Sequence, residues 1–286
     1  MARKKLSRRE ILKLGFWGTV HSLISGVVVL EYSFQIEPDW LDINPVDLTL
    51  PRLPKAFDGY QIAQISDIHH DEWMNQERLS KVVDEVNQLK PDTIVITGDF
   101  VTGFLEDHKT ALAAELSRLS PKQITLAVLG NHDHWTDASM VRDILDSSGI
   151  TELRNQIFTL KRDDSLLHIC GVDDFWVNEA DLDHVITKLP NEGCAILLCH
   201  EPDFADISAA TGRFDLQLSG HSHGGQVIFP IVGPTVLPDY ANKYPVGLYQ
   251  VGSMLQYTNR GVGMIPPYVR FNCRPEITLF TLHAAT

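Results

Sequence analysis

Two rhythms of apolar residues alternate between positions 60 and 147. Segments 60–66, 93–97 and 124–129 are short, almost continuous apolar runs bounded by turn formers, the pattern of buried strands. Between and after them, 75–89, 110–119 and 138–147 repeat apolar residues three and four apart, which predicts amphipathic helices, the last closed by Gly149. Beyond Thr151 the apolar segments become shorter and more frequent, predicting strands at 156–160, 166–171, 195–199, 216–219, 226–229, 249–251 and 277–282. Before position 60, prolines 38, 45, 51 and 54 punctuate a segment with room for one short edge strand. Early βαβ units followed by a strand-rich half predict an α/β (α+β) fold. Its form would be a four-layer α-β-β-α sandwich, two mixed sheets packed together with helices outside.

Composition narrows the class. With 286 residues, 44% of them apolar, the chain can bury a large core. The net charge is −13, although the first thirteen residues carry six Lys or Arg against one Glu, so the rest is more acidic still. Such a body offers no broad surface for neutralising phosphates, which argues against a nucleic-acid partner and suits a protein that concentrates cations. Cys170, Cys194, Cys199 and Cys273 form no C-x-x-C pair and read as buried thiols.

The N-terminus resembles a twin-arginine export signal. Ser7-Arg8-Arg9-Glu10-Ile11-Leu12-Lys13 precedes an apolar stretch, 14–30, interrupted by Thr19, His21 and Ser22; Ile11 stands where that pattern usually has Phe. No small-residue cleavage box follows. The expectation is therefore that residues 1–30 serve as a signal and retained membrane anchor, with 31–286 as one catalytic domain. Export by the twin-arginine machinery would leave that domain at the cell membrane on its outer side.

Candidate chemistry lies where the strands end. The first three close on Asp67-Ile68-His69, Gly98-Asp99 and Gly130-Asn131-His132-Asp133; Asp67 to Asp99 and Asp99 to Asn131 are each 32 positions, one βα unit. In open α/β sheets ligands bind beyond the carboxyl ends of strands, so these termini converge. A later strand ends at Cys199-His200, and Gly220-His221-Ser222-His223-Gly224-Gly225 supplies two more imidazoles; extended backbone there would point both to one side. Pooled, Asp67, His69, Asp99, Asn131, His200, His221 and His223 give seven oxygen or nitrogen ligands and no thiolate. One tetrahedral zinc cannot use them all; two first-row cations sharing a carboxylate can.

Asp-x-His, Gly-Asp, Gly-Asn-His-Asp, a lone His and Gly-His-x-His, in this order, resemble the calcineurin-like metallophosphoesterase superfamily, over about 53–282. Gly224-Gly225-Gln226-Val227-Ile228-Phe229-Pro230, Arg260-Gly261 and Cys273-Arg274-Pro275-Glu276 are similar to its membrane-associated bacterial branch. That branch includes cell-envelope phosphoesterases and enzymes that cleave the pyrophosphate of UDP-2,3-diacylglucosamine. The resemblance implies two divalent metal ions (Mn, Fe or Zn), one held by Asp67, His69, Asp99 and His223, the other by Asp99, Asn131, His200 and His221. It implies hydrolysis of a phosphodiester or pyrophosphate by a water ionised between them, with His132 as the catalytic acid. A phosphomonoesterase or protein phosphatase would use the same metals, and a non-catalytic metal-binding protein would need only the ligands. Trp135 and Arg260 are candidate substrate contacts, against core packing and a surface ion pair. Asp133 either orients His132 or caps the helix near 138. Asp173 and Asp174, with Phe175-Trp176 on a loop after a strand, read as a solvated turn, with substrate contact as the alternative.

Overall fold

A computed structural model describes residues 7–9, 13, 16, 17, 26–103 and 108–285. Two six-stranded sheets form its centre. The first has the order β1 (Asp42–Leu50), β14 (Glu276–Ala284), β2 (Tyr60–Ile65), β3 (Thr93–Thr97), β4 (Ile124–Val128), β5 (Thr151–Glu152); β14 runs antiparallel to β2 and the other pairings are parallel. The second has the order β12 (Gly247–Val251), β13 (Met254–Thr258), β9 (Leu216–Ser219), β8 (Cys194–Leu198), β7 (Ser165–Gly171), β6 (Gln156–Arg162), with β7, β8, β9 and β13 parallel. A small hairpin joins β10 (Ile228–Phe229) to β11 (Gly233–Pro234).

Helix α1 (Gln76–Leu89) buries Leu79, Val82, Val83 and Val86, the stripe that a 3.6-residue period requires. Asn75 caps it by accepting a hydrogen bond from the Arg78 amide, and Lys90 ends it in the left-handed region before Pro91. With α2 (His108–Leu116), α3 (Asn131–Thr136) and α4 (Ala138–Ser147) it accompanies the first sheet. Helices α5 (Leu182–Lys188) and α6 (Ala205–Ala210) lie with the second. Three apolar clusters separate the layers. One holds α1, α2 and α4 on the first sheet, one lies between the sheets, and one holds α5 and the segment around Phe204 and Ala205 on the second sheet. The four-layer sandwich is thus present, and all four cysteines are free and buried within it.

The expected membrane anchor needs correction. Most of 14–30 lies outside the described residues. Residues 26–31 are helical, but the helix then passes through a π turn (Tyr32–Ile36) into a 3-10 turn (Glu37–Asp39). Glu37 pins the turn to the body, accepting hydrogen bonds from the Asn272 and Cys273 amides. Among the described residues no helix is long and apolar enough to cross a membrane, which removes the basis for placing the protein at the cell membrane.

Other departures are local. The edge strand β1 is nine residues long, because it pairs along its whole length with β14. Position 226 is not extended: His223, Gly224, Gly225 and Gln226 form a tight turn with φ between 50° and 74°, so a strand resumes only at Ile228.

Candidate metal centre

Strands β2, β3 and β4 of one sheet and β8 and β9 of the other deliver Asp67, Asp99, Asn131, His200 and His221 just beyond their carboxyl ends. The backbone there is unusual. Asp67, His69, Asp99, His221 and His223 all have φ between 47° and 69°, a region that costs a non-glycine residue of order 1 kcal/mol or more and persists where function holds it. Gly220 permits the approach: a Cβ on it would collide with Asp67 Oδ2 and Ser66 Oγ. The two sheets interlock at this point. His221 N–H donates to the Asp67 carboxylate at 2.9 Å, and the Gln64 amide donates to Ser219 O at 3.0 Å.

Asp67, His69, Asp99 and His223 present ligand atoms within 4.8 Å of one another, as do Asp99, His200 and His221. The groups share Asp99. Its Oδ1 accepts the His132 amide at 2.9 Å, while Oδ2 lies 3.4 Å from His69 Nε2 and 3.1 Å from His200 Nε2, between the two sets. Because the His221 to His223 turn is tight rather than extended, its two imidazoles go to different groups.

The far nitrogens fix which atom each imidazole offers. His200 Nδ1–H donates to Thr97 O at 2.6 Å and His221 Nε2–H to Asp239 O at 2.9 Å, leaving His200 Nε2 and His221 Nδ1 as lone-pair donors. His69 Nδ1 meets Thr102 Oγ1 at 3.1 Å, and that hydroxyl continues to Asp71 Oδ2. His69 Nε2 and His223 Nε2 then face each other at 3.0 Å. Two lone pairs so close make sense with a shared cation between them. Among the described residues, Asn131 Oδ1 is buried without a hydrogen-bond partner, and His200 Nε2 is buried against the Asp99 carboxylate. An orphaned acceptor beside an imidazole aimed at a shared carboxylate fits a metal donor set.

The electrostatics agree. Burial opposes charge on Asp99, but His200 and His69 hold its carboxyl well below the usual range. Burial also opposes protonation of His200, yet Asp99 and Asp67 lift that imidazole well above its ordinary value; Asp99 does the same, less strongly, for His69. Such a site draws positive charge, which dications would supply. His221, buried and beside His200, falls to about 4.

A scan against family models matches residues 60–225 to the calcineurin-like phosphoesterase model. The chain belongs to this family. It is 36% identical over 282 residues to the uncharacterized metallophosphoesterase YkuE of Bacillus subtilis, covering 98% of each chain. It is 29% identical over 255 residues to the phosphodiesterase YaeI of Escherichia coli, covering 88% of this chain and 92% of that one. Among solved structures, the NAD nucleotidase of Haemophilus influenzae aligns with TM-score 0.48 and 17% identity over 71% of this chain and 45% of that one. The protein is therefore a metal-dependent phosphoester hydrolase whose clustered Asp and His residues are able to hold two metal ions.

The remaining expected residues are distributed unevenly. His132 packs edge-on against His69, ring centres 4.8 Å apart, and lines the cleft above the cluster with Trp135, which is 54% exposed. Burial lowers the His132 imidazole below its ordinary value. Arg260 is spent elsewhere: Nε donates to Glu276 at 2.6 Å and Nη2 to Asp42 at 2.7 Å, and it is not among the cleft's lining residues. Asp133 has neither expected role. Its carboxylate accepts the amides of Phe100, Val101 and Gly130, tying the Asp99 loop to the Asn131 loop, while Asp137 caps α4. Asp173 and Asp174 are buried, not solvated; Asp173 binds His134, Arg142 and Arg154. Sequence reasoning missed Thr102, Asp71 and Glu201, whose carboxylate accepts the Phe175 and Trp176 amides. Only the Asp71 turn, which accepts the Trp73 and Met74 amides, carries a local signal.

Proposed function

We propose that this phosphoesterase hydrolyses a phosphodiester or pyrophosphate linkage in a lipid- or nucleotide-linked precursor of the cell envelope, of the kind that UDP-2,3-diacylglucosamine represents. The observation that carries the diester preference is the charge of the cleft. It holds about 440 Å³, and among its described lining residues none is Lys or Arg. A monoester dianion would find no side-chain cation beyond the metals, whereas the phosphorus under attack carries one negative charge in a diester, and a disubstituted pyrophosphate carries one on each phosphorus.

In this reading Asp67, His69, Asp99 and His223 hold one cation, and Asp99, Asn131, His200 and His221 the other. Two such cations supply Lewis acidity and a water ionised near neutral pH. His132, beside the cluster and open to the cleft, gives a proton to the leaving oxygen or steadies the charge on the phosphoryl group. Thr102, Thr97 O and Asp239 O hold the imidazoles in orientation. The test is a panel of a phosphomonoester, a phosphodiester and a pyrophosphate diester with added Mn²⁺. The expected result is faster turnover of the diester or pyrophosphate. Faster turnover of the monoester would favour a phosphomonoesterase built on the same metals.

A further inference from the structure

We infer that the cleft beside the metal centre is a slot for a long aliphatic chain attached to the phosphoryl group. The inference rests on the proposed hydrolysis and names the part of the substrate that the protein itself recognises. Its walls are Val227, Val236, Leu237, Ile265, Pro267 and Val269, with Trp135 and Trp176 at the end nearer His132. The two indoles meet edge to face at 5.2 Å, and Trp176 meets His221 at 5.3 Å, so the aromatic end abuts the ligands.

Away from the metal ligands, His132 and the two indoles, the polar side chains of the lining are already used. The Gln226 amide nitrogen donates to Ile265 O and Pro267 O, and its oxygen accepts the Ile265 amide. The Thr235 hydroxyl donates to Val227 O, and Ser222 Oγ donates to Pro245 O and accepts from Gly224 N. A sugar or nucleoside lying here would lose its hydration and find few partners, a cost that an alkyl chain does not meet. The apolar surface also continues outward. On the β10–β11 hairpin, Phe229, Ile231 and Val232 stand exposed, and Val236 at the slot's edge is 75% exposed. A chain longer than the slot would therefore lie on apolar surface rather than return to water.

The experiment uses the full Mn²⁺-loaded chain. Titration calorimetry with methyl-, hexyl- and dodecylphosphonate, each below its micelle concentration, reads binding without turnover. Kd is expected to tighten at least about tenfold from methyl to hexyl, and further to dodecyl. Val236→Asp, at a position exposed enough to leave folding intact, is expected to flatten that dependence; retention of the full dependence in the variant would overturn this placing of the slot. Equal affinity across the series, or tighter binding of uridine 5′-monophosphate than of hexylphosphonate, would overturn the slot. Diester hydrolysis without chain-length dependence removes the slot and leaves the proposed function. Chain-length dependence without hydrolysis of any diester does the reverse.

Discussion

His132 follows a ligand-type residue in sequence, and its ring opens to the cleft while its amide is held by Asp99. His132→Ala should keep both metals and lose about 10²–10⁴-fold in turnover, the range for a general acid; turnover near wild type would end that role. Asp133 acts differently, through the main chain. Asp133→Ala leaves three buried amides without their acceptor and loosens two ligand loops at once. A Mn²⁺ titration should then show affinity about 10–100-fold weaker, as for other supporting groups around metal ligands; unchanged affinity would show the staple to be dispensable. At this scale the sequence was most legible where ligand-type residues stand at strand ends, because a strand's end fixes where its next residues go. The groups behind them were not legible. His200 leans on the carbonyl of Thr97 and His221 on that of Asp239, and a main-chain oxygen distant in sequence carries no residue-type signal.

Elements repeat the lesson. Strands β3 and β9 and helix α4 match their sequence-derived bounds, each closed within two residues by a glycine, Gly98, Gly220 and Gly149. Strand β13 went unseen, since its Met254–Thr258 run buries polar Gln256 and Thr258, whose side chains bond each other and Tyr244 O. Helix α5 is two turns long, too short for a period to declare itself. Holding β13, β14 and β1 together, Glu276 accepts from Tyr257, Arg260, Asn44 and Thr278, and Arg260 reaches on to Asp42. Burial works against charge on Glu276, and Arg260 with its other partners lowers its pKa below the ordinary 4.5. A carboxylate lowered on folding contributes stability that is fully present above the unfolded value and lost as pH falls through the folded one. Glu276→Gln should lower Tm near neutral pH by about 3–12 °C, because it takes from the part-buried Arg260 one of its two carboxylate partners and leaves it Asp42 alone. The variant should also lose less stability than wild type on acidification below about 4.5. Parallel Tm–pH curves for the two proteins would contradict this.

Across the whole molecule, an acidic body surrounds a centre that draws cations, and two sheets meet so that neither alone completes the ligand set. Metal should therefore stabilise the packing of sheet on sheet. Chelation from a solution holding metal at 100 times its Kd should cost about 2.7 kcal/mol, or roughly 5–10 °C in Tm by differential scanning fluorimetry; an unchanged Tm would mean that the junction forms without cations. The central claim is that one carboxylate, Asp99, is shared by two metal sites. Anomalous diffraction from crystals grown with Mn²⁺ tests it most directly. The account predicts two peaks about 3.5–4 Å apart on either side of Asp99, one against Asp67, His69 and His223 and the other against Asn131, His200 and His221. A single tetrahedral ion with no second peak would contradict it.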